Sequence, residues 1–83
     1  MTLINPPPLI ELDNGEFIDP WLVTNISPRE ADKYKELEDR VIVATGRHYT
    51  TVVFDSYGDA LDYAKKLGDA VNVSRRPVVE HAP

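Results

Sequence analysis

The sequence has 83 residues, with 9 lysine and arginine residues against 14 aspartate and glutamate residues, a formal net charge of −5 and no cysteine. This length fits one domain of the usual range of about 50–200 residues, with a thin core that makes self-association or a bound partner reasonable. The absence of cysteine excludes disulfide frameworks, thiolate metal sites and cysteine nucleophiles. The net negative charge argues against a protein whose main ligand is the phosphate backbone of a nucleic acid.

The sequence shows no membrane span, because no stretch approaches the roughly 20 apolar residues that a span needs. Its start, Met1–Asn5, has neither the basic flank nor the apolar run of a signal peptide. We therefore expect a soluble, cytoplasmic protein.

The chain divides into a lead-in, one domain and a tail. Residues 1–8 end in three prolines, which restrict φ and remove three backbone donors, so we predict an extended lead-in. Residues 9–73 carry the periodic patterns of one α+β domain. Residues 74–83 have no hydrophobic period and contain two prolines, which is typical of a flexible tail.

The domain opens with a predicted β-hairpin. Asn14-Gly15 lies between two short runs of alternating apolar residues, which is a strong hairpin signal. A two-residue type I′ loop would place Leu12 opposite Phe17 on the core face. Ile18 would then point to the other face.

A third extended segment and a charged segment follow. Pro20 should end the second strand, and Trp21–Ile26 should form the next one, with Trp21 covering the edge of the core. Ser27–Glu30 has the signature of a helix start. Nine of the twelve residues of Arg29–Arg40 are charged and its apolar stripe is narrow, so a short surface helix and a loop are both open.

Two strands and a helix complete the pattern. Arg40–Thr45 is β-branched and apolar on both faces, which predicts a central strand, and Tyr49–Phe54 should pair with it after a turn at Gly46–His48. Ser56, with Asp59 three residues later, resembles a capping box for a helix. The apolar residues of that helix recur at helical spacing and should lie across the sheet: Ala60, Leu61, Ala64, Leu67 and Val71.

These elements predict an α+β fold. It has a mostly antiparallel four-stranded sheet of two hairpin-like units, a C-terminal helix on one face, and a short charged helix or loop between the halves. The residues expected on the opposite face are Ile18, Ile42, Ala44 and Val53. Three covers for that face are open: the charged segment folding back through Tyr34 and Leu37, a second copy, or a partner protein.

The layout also carries a resemblance. Ile10–Phe17 surrounds the first turn, Leu22-Val23 and Ile26 follow, and a hairpin ending at Phe54–Ser56 leads into a closing helix. Over about residues 9–72 this order resembles small bacterial FlbD-like proteins and similar bacteriophage-encoded domains. The sequence departs from them at Pro28–Asp39, where those proteins have a short turn. Because that family has no well-defined catalytic residues, the resemblance implies a small accessory or interaction protein.

No strong catalytic motif is present. No serine or threonine stands in a nucleophile elbow, and no glycine-rich loop precedes a helix as a phosphate cradle requires. His48 and His81 lack partners at the spacing that tetrahedral metal sites use. We therefore expect no catalysis, no cofactor and no metal.

The function that these features favour is protein–protein interaction by a phage or bacterial accessory protein, which binds or modulates a cellular protein or pairs with itself. The residues selected for partner binding are Arg29, Lys33, Tyr34, Leu37, Ile42 and Ala44. The alternative is single-stranded nucleic-acid binding by basic and aromatic side chains of the sheet. The residues selected for that alternative are Arg47, His48, Tyr49, Arg75 and Arg76.

Overall fold

A computed structural model describes residues 9–75 of the chain and shows an α+β fold. The elements are β1 (Ile10–Glu11), β2 (Phe17–Ile18), β3 (Val23–Arg29), β4 (Arg40–Thr45), β5 (His48–Val53) and α1 (Tyr57–Arg75). Strands β3, β4 and β5 form a three-stranded antiparallel sheet in that order, and β1 and β2 form a separate two-stranded hairpin. The expected single four-stranded sheet is therefore not what these residues form. The predicted lead-in lies outside the described residues.

The first hairpin forms where the sequence predicts it, but its register differs by one residue. Ile10 pairs with Ile18, and the Leu12 amide donates to the Glu16 carbonyl at 2.7 Å, which leaves a three-residue loop. Positive φ occurs in this loop only at Gly15 (86°), whereas a type I′ turn needs it at two residues. Leu12 lies in the core as predicted. Ile18 is consequently buried beside it while Phe17 is 61% exposed, which reverses the predicted faces of the second strand.

The predicted helix start at Ser27–Glu30 is wrong, because β3 continues through Pro28 to Arg29. The segment that follows, residues 30–39, is a loop that we call the charged loop. Asp32 and Leu37 exchange two backbone hydrogen bonds of 2.9 Å across it, and Glu36 adopts a φ of 54°. The β3–β4 connection is thus an extended hairpin, and the loop alternative of the prediction holds.

The central strand is confirmed at Arg40–Thr45, with β3 on one side and β5 on the other. Val41 and Val43 are completely buried, whereas Ile42 and Ala44 are half-buried on the opposite face. The turn that leads to β5 consists of Gly46, at a φ of 65°, and Arg47. Burial of the central strand on both faces was expected, but only one face is covered by other elements among the described residues.

The C-terminal helix supplies that cover. Its start is capped by the Ser56 hydroxyl, which accepts the Asp59 amide at 3.1 Å, as the sequence predicts. The helix packs on β3 and β4 and extends through Ser74 and Arg75, two residues beyond the predicted domain boundary. Trp21 is 54% exposed, so it does not seal the core as expected. The buried apolar cluster consists of Leu12, Ile18, Val23, Val41, Val43, Val52, Ala60, Leu67 and Val71.

Two glycines test this description of the backbone. A methyl group added at Gly15 or at Gly68 would meet nothing within 4 Å, but only Gly15 has a positive φ. We expect Gly15→Ala to lower the free energy of unfolding by about 1 kcal/mol through backbone strain. The helical control Gly68→Ala should raise it by about 0.5–1 kcal/mol. Urea unfolding measures both, and equal effects would contradict the assigned loop.

Candidate binding surface

One face of the three-stranded sheet has no covering element among the described residues. Side chains alternate along a strand, so the neighbours of the buried Val41, Val43 and Val52 point away from α1. The strand register arranges them in three rows. The rows are Arg29–Arg40–Val53, Ser27–Ile42–Thr51 and Asn25–Ala44–Tyr49, and we call these nine residues the open face.

The open face differs in chemistry from the rest of the chain. Its centre is the apolar pair Ile42 and Ala44, and its outer strands carry amide, hydroxyl and guanidinium groups around the 75% exposed Tyr49. None of its nine residues is acidic, although the chain as a whole carries a net charge of −5. Enrichment in tyrosine and arginine, with depletion of aspartate and glutamate, is the composition of protein–protein interfaces.

The outer edge of β3 is blunted by Pro28. In an antiparallel pair, alternate residues direct their backbone groups toward the partner strand. Ser27 pairs with Ile42 across the β3–β4 ladder, and Pro28 is the next residue along. A proline is tolerated there because its missing N–H would face outward, and it removes one donor from the free edge.

The outer edge of β5 is blocked by the first hairpin. The Asn14 side-chain amide donates to the Thr51 carbonyl at 3.2 Å, and the Thr50 hydroxyl donates to a Glu16 carboxylate oxygen at 2.8 Å. These contacts occupy backbone and side-chain groups at the middle of the edge strand. Addition of a foreign strand is therefore disfavoured at both edges, and the open face is the more accessible surface for a partner.

The charged loop does not cover the open face. Tyr34 is 100% exposed and Leu37 is 39% exposed, so neither side chain packs over the sheet. The charged segment therefore does not fold back over this face, which was one of the three covers left open. Lys33 is exposed on the same loop. The base of the loop is held by Arg40, whose Nη1 donates to the Glu30 and Glu38 carbonyls at 3.3 and 3.1 Å. The loop therefore continues from the Arg29 end of the open face.

The residues selected for nucleic-acid binding do not form one group. Arg47, His48 and Tyr49 are exposed together at the β4–β5 turn. Arg75 instead lies at the end of α1, where its Nε donates to the Pro20 carbonyl at 2.6 Å and its Nη2 donates to the Val23 carbonyl. Arg76 lies outside the described residues. Arg75 thus joins the helix to the start of β3 and is engaged in the fold.

This position of Arg75 predicts a loss of stability on substitution. Arg75→Met keeps the aliphatic stem and removes the donors to Pro20 and Val23. Because two partly buried carbonyls lose a charged donor, we expect the free energy of unfolding to fall by about 1–3 kcal/mol. The control Arg47→Met, at an exposed turn, should leave it unchanged. Thermal unfolding of both variants checks this, and equal melting temperatures would contradict the assigned role.

A concave region lies beside Tyr63, and four of its eight lining residues are aspartates. Asp13, Asp55, Asp59 and Asp62 line it. Within residues 9–75, no cluster of three or more histidine, aspartate or glutamate side chains is arranged to hold a metal ion.

Tyr63 connects this region to the first hairpin. Its hydroxyl accepts the Asp13 amide at 3.1 Å, and its ring lies 4.9 Å from that of Phe54 between centroids. Burial raises the pKa of the Tyr63 phenol above its usual value, the Asp13 amide lowers this pKa, and the Asp13 charge raises it. The fold therefore favours the neutral phenol at this position.

The raised pKa of Tyr63 predicts a loss of stability at alkaline pH. The folded phenol holds its proton more tightly than the unfolded one, so its contribution is complete below the unfolded pKa of about 10 and is lost as the pH rises above it. Urea unfolding at increasing pH should show a steeper decline for the natural protein than for Tyr63→Phe. The comparison is between slopes, because the variant also loses the Asp13 hydrogen bond. Equal slopes would contradict the assignment.

Several residues of the open face were missed by sequence reasoning. Asn25, Ser27 and Thr51 were not selected, although Ile42, Ala44, Tyr49 and Arg29 were. The pattern Ser27–Glu30 predicts a helix cap at Ser27, which obscures the alternation of β3 through Arg29. The signal that identifies all of them is the two-residue period of β3 and β5, read together with the register.

No family model matches this chain, and no curated protein or solved structure matches it significantly. The resemblance to FlbD-like and phage-encoded domains therefore stays a prediction. No helix within residues 9–75 is long and apolar enough to cross a membrane.

Proposed function

We propose that this protein is a small non-catalytic binding module, of bacterial or phage origin, whose open face docks a cellular protein. The observation that carries the proposal is the composition of the three rows. An apolar centre is flanked by tyrosine, arginine and neutral polar groups, with no acidic residue in an otherwise acidic chain. Tyrosine and arginine are enriched in protein–protein interfaces, and neutral polar groups retain hydrogen-bonding capacity at the rim.

The size of the open face argues that the contact includes the charged loop. Three rows span about 13 Å along the strands and about 10 Å across them at ordinary strand spacings. A standard interface buries roughly 800 Å² on each partner, which is several times this footprint. The charged loop extends the β3–β4 hairpin beyond Arg29 and presents the fully exposed Tyr34. We therefore include Lys33, Tyr34 and Leu37 in the proposed interface.

The nucleic-acid alternative is less well supported. It retains Arg47, His48 and Tyr49 at one end of the open face, but Arg75 is engaged with Pro20 and Val23. Within this group, one exposed tyrosine and one exposed turn arginine are a small base for stacking and phosphate contacts. We therefore treat nucleic-acid binding as an outcome to be separated by experiment.

Site-directed photo-crosslinking tests the open face. We expect a benzoylphenylalanine at position 49, introduced in cells, to give a discrete crosslinked protein, and one at the exposed helix position 72 to give none. Ala44→Glu should abolish the product by placing a charge at the centre of the face. The matched control Ala70→Glu adds the same charge to the exposed side of α1 and should leave the product intact.

The crosslinked product also identifies the class of partner. A product of twice the 9.4 kDa monomer mass indicates self-pairing, and a nuclease-sensitive product supports the nucleic-acid alternative. Identical products from positions 49 and 72, or a product that survives Ala44→Glu, would refute the proposed surface.

The charged loop has its own test. Tyr34→Ala combined with Leu37→Ala should weaken the crosslink at position 49, because the loop supplies contacts beyond the sheet. Since both side chains are exposed, we expect the free energy of unfolding to change by no more than about 0.5 kcal/mol. Unfolding of the double variant would show that the loop supports the core, and an unchanged crosslink would remove the loop from the interface.

A further inference from the structure

Seven of the nine residues of the open face line one groove of about 360 Å³. The centre of this groove is the half-buried pair Ile42 and Ala44. The exposed Arg29 and Tyr49 lie in its two end rows, about 13 Å apart along the strands. Because these side chains line a single groove, the open face is one continuous surface on which a narrow segment of a partner can lie.

One end of the groove carries two like charges on neighbouring strands. Arg29 and Arg40 are paired directly across the β3–β4 ladder, which places their Cβ atoms about 4.5–5.5 Å apart. Like charges in such a pair destabilise a sheet. Neither guanidinium forms an ion pair with a carboxylate of residues 9–75, although the adjoining charged loop contains five acidic residues. The positive charge at this end is therefore uncompensated within the described part of the chain.

The guanidinium of Arg40 is held in position by the base of the charged loop. Its Nη1 donates to the Glu30 and Glu38 carbonyls. A guanidinium has five N–H donors, so Nε and Nη2 retain three donors that have no acceptor among the described residues. That edge of an arginine matches the two oxygens of a carboxylate in a bidentate pair. Because Arg40 is already fixed, it loses little further side-chain entropy on binding such a group.

A carboxylate suits the arginine end of the groove better than a phosphate does. The chain has a net charge of −5, and the charged loop with its five acidic residues begins directly after Arg29. A phosphate dianion meets more repulsion there than a singly charged carboxylate. Beyond Arg29 the groove is lined by apolar and neutral polar side chains, which offer no charge to the successive phosphates of a nucleic acid. The ligand that this surface favours is thus an acidic segment of a protein.

The spacing of the rows defines the pattern of such a segment. Arg40, Ile42 and Ala44 follow one another at two-residue intervals along β4, about 7 Å apart. Side chains on one face of an extended segment have the same spacing. A carboxylate at the arginine pair therefore places the side chain two residues away over Ile42, and the side chain four residues away over Ala44 beside Tyr49. Both of these positions favour apolar side chains.

We propose that the open face binds an extended acidic segment of its partner. An aspartate or glutamate of that segment contacts Arg29 and Arg40, and apolar side chains two and four residues away occupy the groove. The bound carboxylate neutralises the repulsion between the two arginines. This inference rests on the proposed function, since it names the kind of segment that docks on the open face.

Charge substitutions in the photo-crosslinking protein test this proposal. With benzoylphenylalanine at position 49, we expect Arg29→Glu to abolish the crosslinked protein and Arg29→Gln to reduce its yield about three- to tenfold. The control Arg47→Gln removes the same charge at the β4–β5 turn and should leave the yield unchanged. A product that Ala44→Glu abolishes but Arg29→Glu leaves intact would overturn the acidic segment while the proposed function stands. No product, or a nuclease-sensitive one, would overturn both.

A defined peptide measures the charge preference directly. The probe is an acetylated five-residue peptide whose first residue is glutamate and whose third and fifth are leucine, compared with a version that begins with glutamine. In a titration of isotope-labelled protein followed by nuclear magnetic resonance, we expect the glutamate peptide to shift the amide signals of Ile42 and Thr51. It should bind about three- to tenfold more tightly than the glutamine peptide, and less tightly at high salt. Equal affinities, or no shift, would overturn the proposal.

The stability of Arg29→Gln separates a binding role of this arginine from a structural one. Because the substitution removes one of two like charges, we expect the melting temperature to rise by about 1–5 °C while affinity for the glutamate peptide falls. A lower melting temperature would show that Arg29 supports the fold and would overturn the proposal.

Discussion

The packing of a single helix on one face of the three-stranded sheet determines the rest of this structure. Ala60, Leu67 and Val71 cover the face that carries Val41, Val43 and Val52, and the first hairpin adds Leu12 and Ile18 to the same core. Burial of these side chains supplies the main driving force for folding. Because the described residues contain one helix, only one face of the sheet is covered. The other face is consequently left without a covering element among these residues.

The two edges of the sheet, unlike its open face, carry features that limit the addition of another strand. Pro28 removes a donor from the edge of β3, and Asn14 satisfies a carbonyl at the edge of β5. Both devices limit strand addition, which is the common route to uncontrolled association of β-proteins. The face keeps its apolar centre at Ile42 and Ala44. Because strand addition is limited at the edges, and because the open face has no acidic residue, these features favour binding of a partner through the side chains of the open face.

The distribution of charge supports the same division. Acidic side chains lie in the first hairpin and the turn after it, in the charged loop and around α1, where Asp55, Asp59 and Asp62 lie beside Tyr63. The open face carries Arg29 and Arg40 and no carboxylate. The proposed binding face is therefore free of the carboxylates that the other described elements carry.

Local patterns in the sequence were sufficient to predict the central strand Arg40–Thr45, the Ser56 cap and the apolar stripe of the last helix. Each depends on residues that are close in the chain. The register of the first hairpin was not predictable from Asn14-Gly15, because a three-residue loop buries Ile18 and a two-residue loop exposes it. Pro28 in Ser27–Glu30 predicts a helix start, but the same residue suits an edge strand when β4 pairs on its other side. Which side chains form the open face was decided only by the tertiary structure, because alternation assigns a residue to a face but pairing and helix packing determine which face is covered.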